Sequence, residues 1–222
     1  MCGRFTLTLE ADDIREILRA GDIPVDYSVR FNIAPTQSVA VIKDTSRDIT
    51  MMRWGLVPSW AKDIEIGSRL INARSETVME KPSFRQSFLR RRCLILADGF
   101  YEWKRAREGS NVSQPYYFRL HDQKLFGFAG LWDAWKATDG TTLMSCTILT
   151  CPANDVVRQV HERMPVILSS DWMWEWLQPQ SPDRLLPMLR PYKPEETISY
   201  PVSKRVNIAT IDGPELIVPL SG

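Results

Sequence analysis

The chain has 222 residues, 44% of them hydrophobic and 25% charged, and its 28 basic and 27 acidic side chains leave a formal net charge of +1. This is enough chain for one domain with a substantial core, and the composition excludes a disordered polymer. The near balance of charge removes the strongly basic total that marks many nucleic-acid binders, so any such contact has to be a local patch. Candidates for one are Arg85 with the run Arg90, Arg91, Arg92, and the group Lys104, Arg105 and Arg107; each also reads as a solvated charged face. No apolar run approaches the ~20 residues of a membrane span, and the first residues lack a basic segment followed by an apolar one. A cytoplasmic protein with no membrane partner is therefore expected. Cys2, Cys93, Cys146 and Cys151 form no CxxC pair, which argues against a disulfide framework and against zinc; no metal and no cofactor are expected.

In chain order, Thr8 followed by residues 9–20 reads as a first helix, because Ile14, Ile17 and Leu18 share a face and Gly21 supplies a stop. Strands follow at 39–42, 49–56, 93–97, 100–103, 116–120, 125–129 and 143–150, all short β-branched or aromatic runs bounded by polar, Gly or Pro residues. Helical spacing returns at 154–161 and, after the cap candidate Ser170, at 172–177, with a strand at 164–168 between them. Residues 179–201 are proline-rich and read as a loop segment holding a short helix at 185–189. No repeat or linker interrupts the pattern. The expected fold is α+β: a single domain, spanning 1–222, of largely antiparallel β-sheets or a distorted barrel with flanking helices.

The most informative position is Cys2. A small second residue permits removal of Met1, which leaves an α-amine and a thiol on adjacent carbons. With ordinary pKa values of about 7.7 to 8.0 and about 8.5, a useful fraction of each would be nucleophilic near neutrality. Such an aminothiol traps an aldehyde twice, first as an imine and then, by addition of sulfur across C=N, as a five-membered thiazolidine. The plain alternative is a small apolar residue tucked into the first strand.

Further candidates lie along the chain. Asn72 and Arg74, in the polar cluster after Leu70 and Ile71, can hold an amine or sugar oxygen and a phosphate, although the segment also reads as a helix or turn start. Glu102 stands between Tyr101 and Trp103, where desolvation would raise its pKa into the range useful for proton transfer. Strand alternation puts it on the Phe100 face; the alternative is an edge-strand carboxylate paired with Lys104. His161 is suited to move protons, or to cap a helix end in its protonated form. Trp54 and Trp60 bracket a Gly/Pro loop and could stack unpaired bases, whereas most of the eight tryptophans read as core.

Eight segments together resemble the SRAP family of abasic-site-processing proteins: MCGRF at 1–5, RFNIAP at 30–35, WGLVPSW at 54–60, INARSET at 71–77, ADGFYEW at 97–103, GLW at 130–132, TCPAN at 150–154 and HERMP at 161–165. The resemblance spans nearly the whole chain. It implies that Cys2 cross-links to an abasic site in single-stranded DNA, that Asn72, Glu102 and His161 complete the active site, and that Arg4, Asn32, Trp60, Arg74 and Thr150 lie along the DNA path. Cys151 departs from the hydroxyl residue expected after Thr150. The implied protein is a monomer whose partners are abasic single-stranded DNA and the replication machinery. A thiol peptidase using Cys2, His161 and Asn72, and a non-covalent single-strand binding module, are the alternatives.

Overall fold

The computed structural model describes residues 2–105 and 113–220; Met1 and Arg107, named above, lie outside them. The elements are β1 (Arg4–Leu7), α1 (Ala11–Leu18), β2 (Arg30–Ile33), β3 (Ser38–Ile42), β4 (Ile49–Trp54), β5 (Asn72–Arg74), α2 (Pro82–Arg90), β6 (Arg92–Ala97), β7 (Gly99–Lys104), β8 (Gln114–Leu120), β9 (Phe126–Lys136), β10 (Thr142–Pro152), α3 (Asp155–Arg158), β11 (Arg163–Pro165), β12 (Ile167–Leu168), α4 (Ser170–Leu177), α5 (Pro182–Leu185) and β13 (Thr197–Pro201).

They form two sheets. The first runs β13, β8, β7, β1, β2, with every pairing antiparallel. In the second, β10, β4, β3, β6 and β9 pair in turn and β9 returns to β10, so the ring closes and those strands keep no free edge. This is the α+β, barrel-like architecture expected. Among the described residues, only β10 with β4 and β10 with β5 are parallel pairs.

The core lies between the sheets and inside the ring. Phe5 of β1 meets Trp54 and Phe128 edge-on, with centroids 5.1 and 5.6 Å away, and Phe100 stacks on Phe118 at 5.0 Å. Strand alternation sorts β7 as its sequence requires. Phe100 enters the main core, while Tyr101 and Trp103 pack on the opposite face against Val202, Val206 and Leu216 from the C-terminal segment. β7 lies inside its sheet, so Glu102 is not the edge-strand carboxylate considered above.

Several elements differ from the sequence reading. The helix α2 has an apolar stripe of only Phe84 and Phe88 and no side-chain cap, and its periodicity is too sparse to read. β1, β2 and β13 are short strands whose pairing partners lie far away in the chain; β13 replaces the loop expected there. The first helix starts after Glu10, and Thr8 instead donates its hydroxyl to Asp98 at 2.5 Å. Ser170 is the first residue of α4, with Ser169 before it. The expected basic patch at 90–92 does not exist as a patch: Arg92 is buried and donates to Phe88 O, Leu89 O, Trp176 O and Gln178 O at 2.8, 2.8, 2.9 and 2.9 Å, closing the ends of α2 and α4. Arg91 pairs with Asp133 at 3.2 Å.

Candidate active site

Four chain segments distant in sequence meet at the beginning of β1. Cys2 precedes that strand and is 0% exposed, a member of the main core cluster. Its Sγ donates to Arg4 O at 3.7 Å. Asn72, the first residue of β5, donates from Nδ2 to the Cys2 carbonyl at 2.8 Å. Its Oδ1 is buried and accepts no hydrogen bond among the described residues, which leaves an acceptor beside the Cys2 backbone.

Glu102 arrives on β7, whose register with β1 pairs Tyr101 with Arg4 and so sets the next residue beside the chain's beginning. It is 2% exposed, and burial pushes its carboxyl up to about 7. His161 lies beyond α3, which ends at Arg158, so it does not cap that helix. Its Nδ1 is 4.0 Å from Glu102 Oε1. Burial lowers the imidazole pKa, the reverse of what a helix C-terminus would do.

The ordinary thiol pKa expected for Cys2 is overturned. Burial first, and then the Glu102 charge, push the thiol far up, so the sulfur is held as S–H at neutral pH.

The residues expected on the DNA path divide by exposure. Trp60 is 59% exposed at the tip of the 55–60 loop, and Arg74 is exposed at the end of β5. The loop turns at Gly55, whose φ of +126° and whose approach to Gly67 O leave no room for a Cβ. Trp54, the other bracket of that loop, is wholly buried and donates to Ile71 O at 2.9 Å. Arg4 is half-buried and donates to Asn32 Oδ1 and Val206 O, each at 2.6 Å. Asn32 and Thr150 are interior. Asn32 donates to Val206 O, Ile208 O and Ile211 O at 3.3, 3.1 and 2.7 Å, so it reaches a ligand only through Arg4. Thr150 reaches one only through Arg163, which donates to its Oγ1 at 3.2 Å.

The sequence model of the family described as SOS response associated peptidase (SRAP) matches residues 1–209. The chain belongs to the SRAP family. Among its relatives, the abasic site processing protein YoqW of Bacillus subtilis (strain 168) is 44% identical over 223 residues, covering 98% of this chain and 99% of that protein. The abasic site processing protein HMCES of Xenopus tropicalis is 31% identical over 269 residues, covering 99% of this chain and 78% of that protein. Among solved structures, a protein from Bacteroides thetaiotaomicron superposes with a TM-score of 0.92 at 24% identity, covering 99% of this chain and all of that one, which shows the shared fold.

Within this SRAP chain, the residue the sequence reading passed over is Arg163. Its backbone N–H donates to His161 Nδ1 at 3.0 Å and its carbonyl oxygen lies 3.2 Å from the same nitrogen, so the Arg163 backbone holds the ring in place. Its guanidinium pairs with Glu76 and donates to Thr150 O at 2.7 Å. One side chain thereby joins β11, β10 and the turn after β5. Arg163 stands in the HERMP run, but nothing in one dimension names Glu76 as its partner. Among the described residues of this SRAP chain, no three His, Cys, Asp or Glu side chains group to hold a metal, and no helix is long and apolar enough to cross a membrane.

Proposed function

We infer that the chain processes abasic sites in single-stranded DNA by bonding to the lesion aldehyde through Cys2 once Met1 has been removed. The observation that carries the reading is the convergence of Cys2, Asn72, Glu102 and His161, with the carboxyl pushed up to about 7. The names of the relatives, abasic site processing proteins, point the same way.

The α-amine attacks C1′ of the ring-opened sugar to give a carbinolamine. Glu102, half ionised near neutrality, takes the proton released from nitrogen and returns it to the hydroxyl, so water leaves and C=N forms. Asn72 holds the Cys2 carbonyl and orients the amine. His161, kept neutral by burial, assists ring opening and loss of water. The thiol then adds across the imine: a C–S bond forms, and the S–H proton passes to nitrogen by way of the Glu102 carboxylate. A buried thiol suits this order, because sulfur stays inert until an imine stands beside it. While the imine persists, β-elimination of the 3′ phosphate is a side path that ring closure ends.

The test is denaturing electrophoresis with an oligonucleotide bearing one abasic site, together with the intact mass of the protein before and after. The expected result is loss of Met1 and a heat-stable adduct heavier than the mature protein by the mass of the oligonucleotide less one water. A heat-stable adduct from Cys2→Ala overturns the thiazolidine, and binding without any adduct reduces the protein to a non-covalent module. A thiol peptidase is the weaker reading, since Cys2 is held as S–H and its hydrogen bond goes to Arg4 O rather than to an imidazole.

A further inference from the structure

A groove of about 290 Å³ has His161 as part of its wall. Its walls are Lys104 and Arg105 from the end of β7, and Arg158 with Gln159 and Val160 from the α3 turn; Glu162 also lines it. Three cations thus face one acidic side chain across a small opening, in a chain whose total charge is almost balanced. Arg158 is steadied from behind, donating to Ala153 O at 2.7 Å, and shares an exposed ion pair with Asp155 at 3.6 Å.

The placement relative to the reactive centre matters as much as the charge. Lys104 follows Glu102 by two residues on the same strand, so it shares that face about 7 Å further along. Arg105 is near enough for its charge to act on the His161 imidazole. That span is about the distance from a sugar carbon over Glu102 to the phosphates that flank it. Glu102 and His161 carry the proposed proton-transfer roles, and the cations of the groove stand next to His161.

Resting on the reading above, we propose that the groove formed by Lys104, Arg105 and Arg158 beside His161 binds the DNA phosphate adjoining the abasic sugar, and so sets where the lesion stops along the strand. Three flexible ammonium or guanidinium heads around one phosphate give charge without base contacts, so the groove is indifferent to sequence.

The experiment uses an oligonucleotide carrying tetrahydrofuran, an abasic analogue without an aldehyde, so no covalent bond enters the measurement. Binding by fluorescence anisotropy is followed against NaCl concentration for the full chain and for Lys104→Gln with Arg158→Gln. The expected result is weaker binding, with the slope of log K against log salt smaller by about 0.7, the value for one single-strand phosphate contact. Lys124→Gln, at the other end of the sheet, keeps the parent slope. Neutralising one of the two linkages next to the analogue as a methylphosphonate abolishes the difference between the parent and the double variant, and a methylphosphonate four nucleotides away preserves it. An unchanged slope in a variant with the parent circular dichroism overturns the proposal, as does a difference that survives neutralisation of both adjacent linkages. Because the probe cannot cross-link, failure of the groove leaves the Cys2 chemistry standing, and failure of the Cys2 adduct on true abasic DNA leaves the groove standing.

Discussion

Asn72 Nδ2 donates to the carbonyl oxygen of Cys2 at 2.8 Å, and this bond ties the first residue of β5 to the segment entering β1. Asn72→Ala removes the donor and leaves the Cys2 backbone free to shift by a fraction of an ångström. Adduct formation on abasic single-stranded DNA, followed by quenched gel time courses, is expected to slow roughly 10- to 100-fold, with the unfolding midpoint changed little. A rate equal to the parent's would remove the orienting role.

Glu102 makes two opposite demands on pH. Its carboxyl rises from 4.5 unfolded to about 7 folded through burial, so between those values the native state keeps a proton that the unfolded chain has lost. Stability from this group is therefore present below about pH 4.5, falls as pH rises to about 7, and is flat above. Glu102→Gln is expected to be more stable than the parent at pH 8, by on the order of 3 kcal/mol at most, when denaturant curves are compared. The same variant loses roughly 100-fold or more in adduct rate and the inflection near pH 7. Equal stability at pH 8 would contradict the buried carboxylate.

Arg163 joins Glu76, Thr150 and His161. The arginine is mostly buried and Glu76 is half exposed, so the two ends of the pair differ in cost. Arg163→Ala is expected to destabilise by about 2–4 kcal/mol in urea titrations, and Glu76→Ala by about 1 kcal/mol or less. Histidine NMR on Arg163→Lys separates positioning from stability: a folded variant in which the His161 titration is unmoved leaves the arginine a purely structural brace.

Asn32 supplies donors to three carbonyls of the 206–211 segment and accepts from Arg4. Asn32→Ala takes the donor from Ile211 O, while Val206 O keeps Arg4 and Ile208 O keeps the Ile211 N–H; the expected cost is about 1–2 kcal/mol, with a looser cover over Tyr101 and Trp103. Hydrogen exchange should show faster exchange at 206–211; protection equal to the parent's would refute the anchoring role.

Trp60 is the converse case, an exposed ring on a loop whose turn is set by Gly55. Trp60→Ala should leave the unfolding free energy within about 0.5 kcal/mol and weaken single-stranded DNA binding by about 1–3 kcal/mol, the worth of one stacked base. Full affinity in anisotropy titrations would reduce Trp60 to a loop residue.

What one dimension carries here is local. Alternation in β7 placed Glu102 on the apolar Phe100 face, and the buried runs of β6 and β10 announced themselves by composition, because side-chain direction and transfer energy act residue by residue. The eight motif segments were legible for the same reason, and Cys2, Asn72, Glu102 and His161 were named from them. Pairing is different. That β9 returns to β10 and closes a ring, that β1 inserts between β2 and β7, and that Arg163 finds Glu76 depend on contacts between residues tens of positions apart. Tertiary packing likewise decided the chemistry of the named groups: it buried the Cys2 sulfur that composition left ordinary, turned Arg92 inward from an apparent surface run, and gathered Lys104, Arg105 and Arg158 around one groove. Solvation is a property of the assembled neighbourhood, and no single segment contains it.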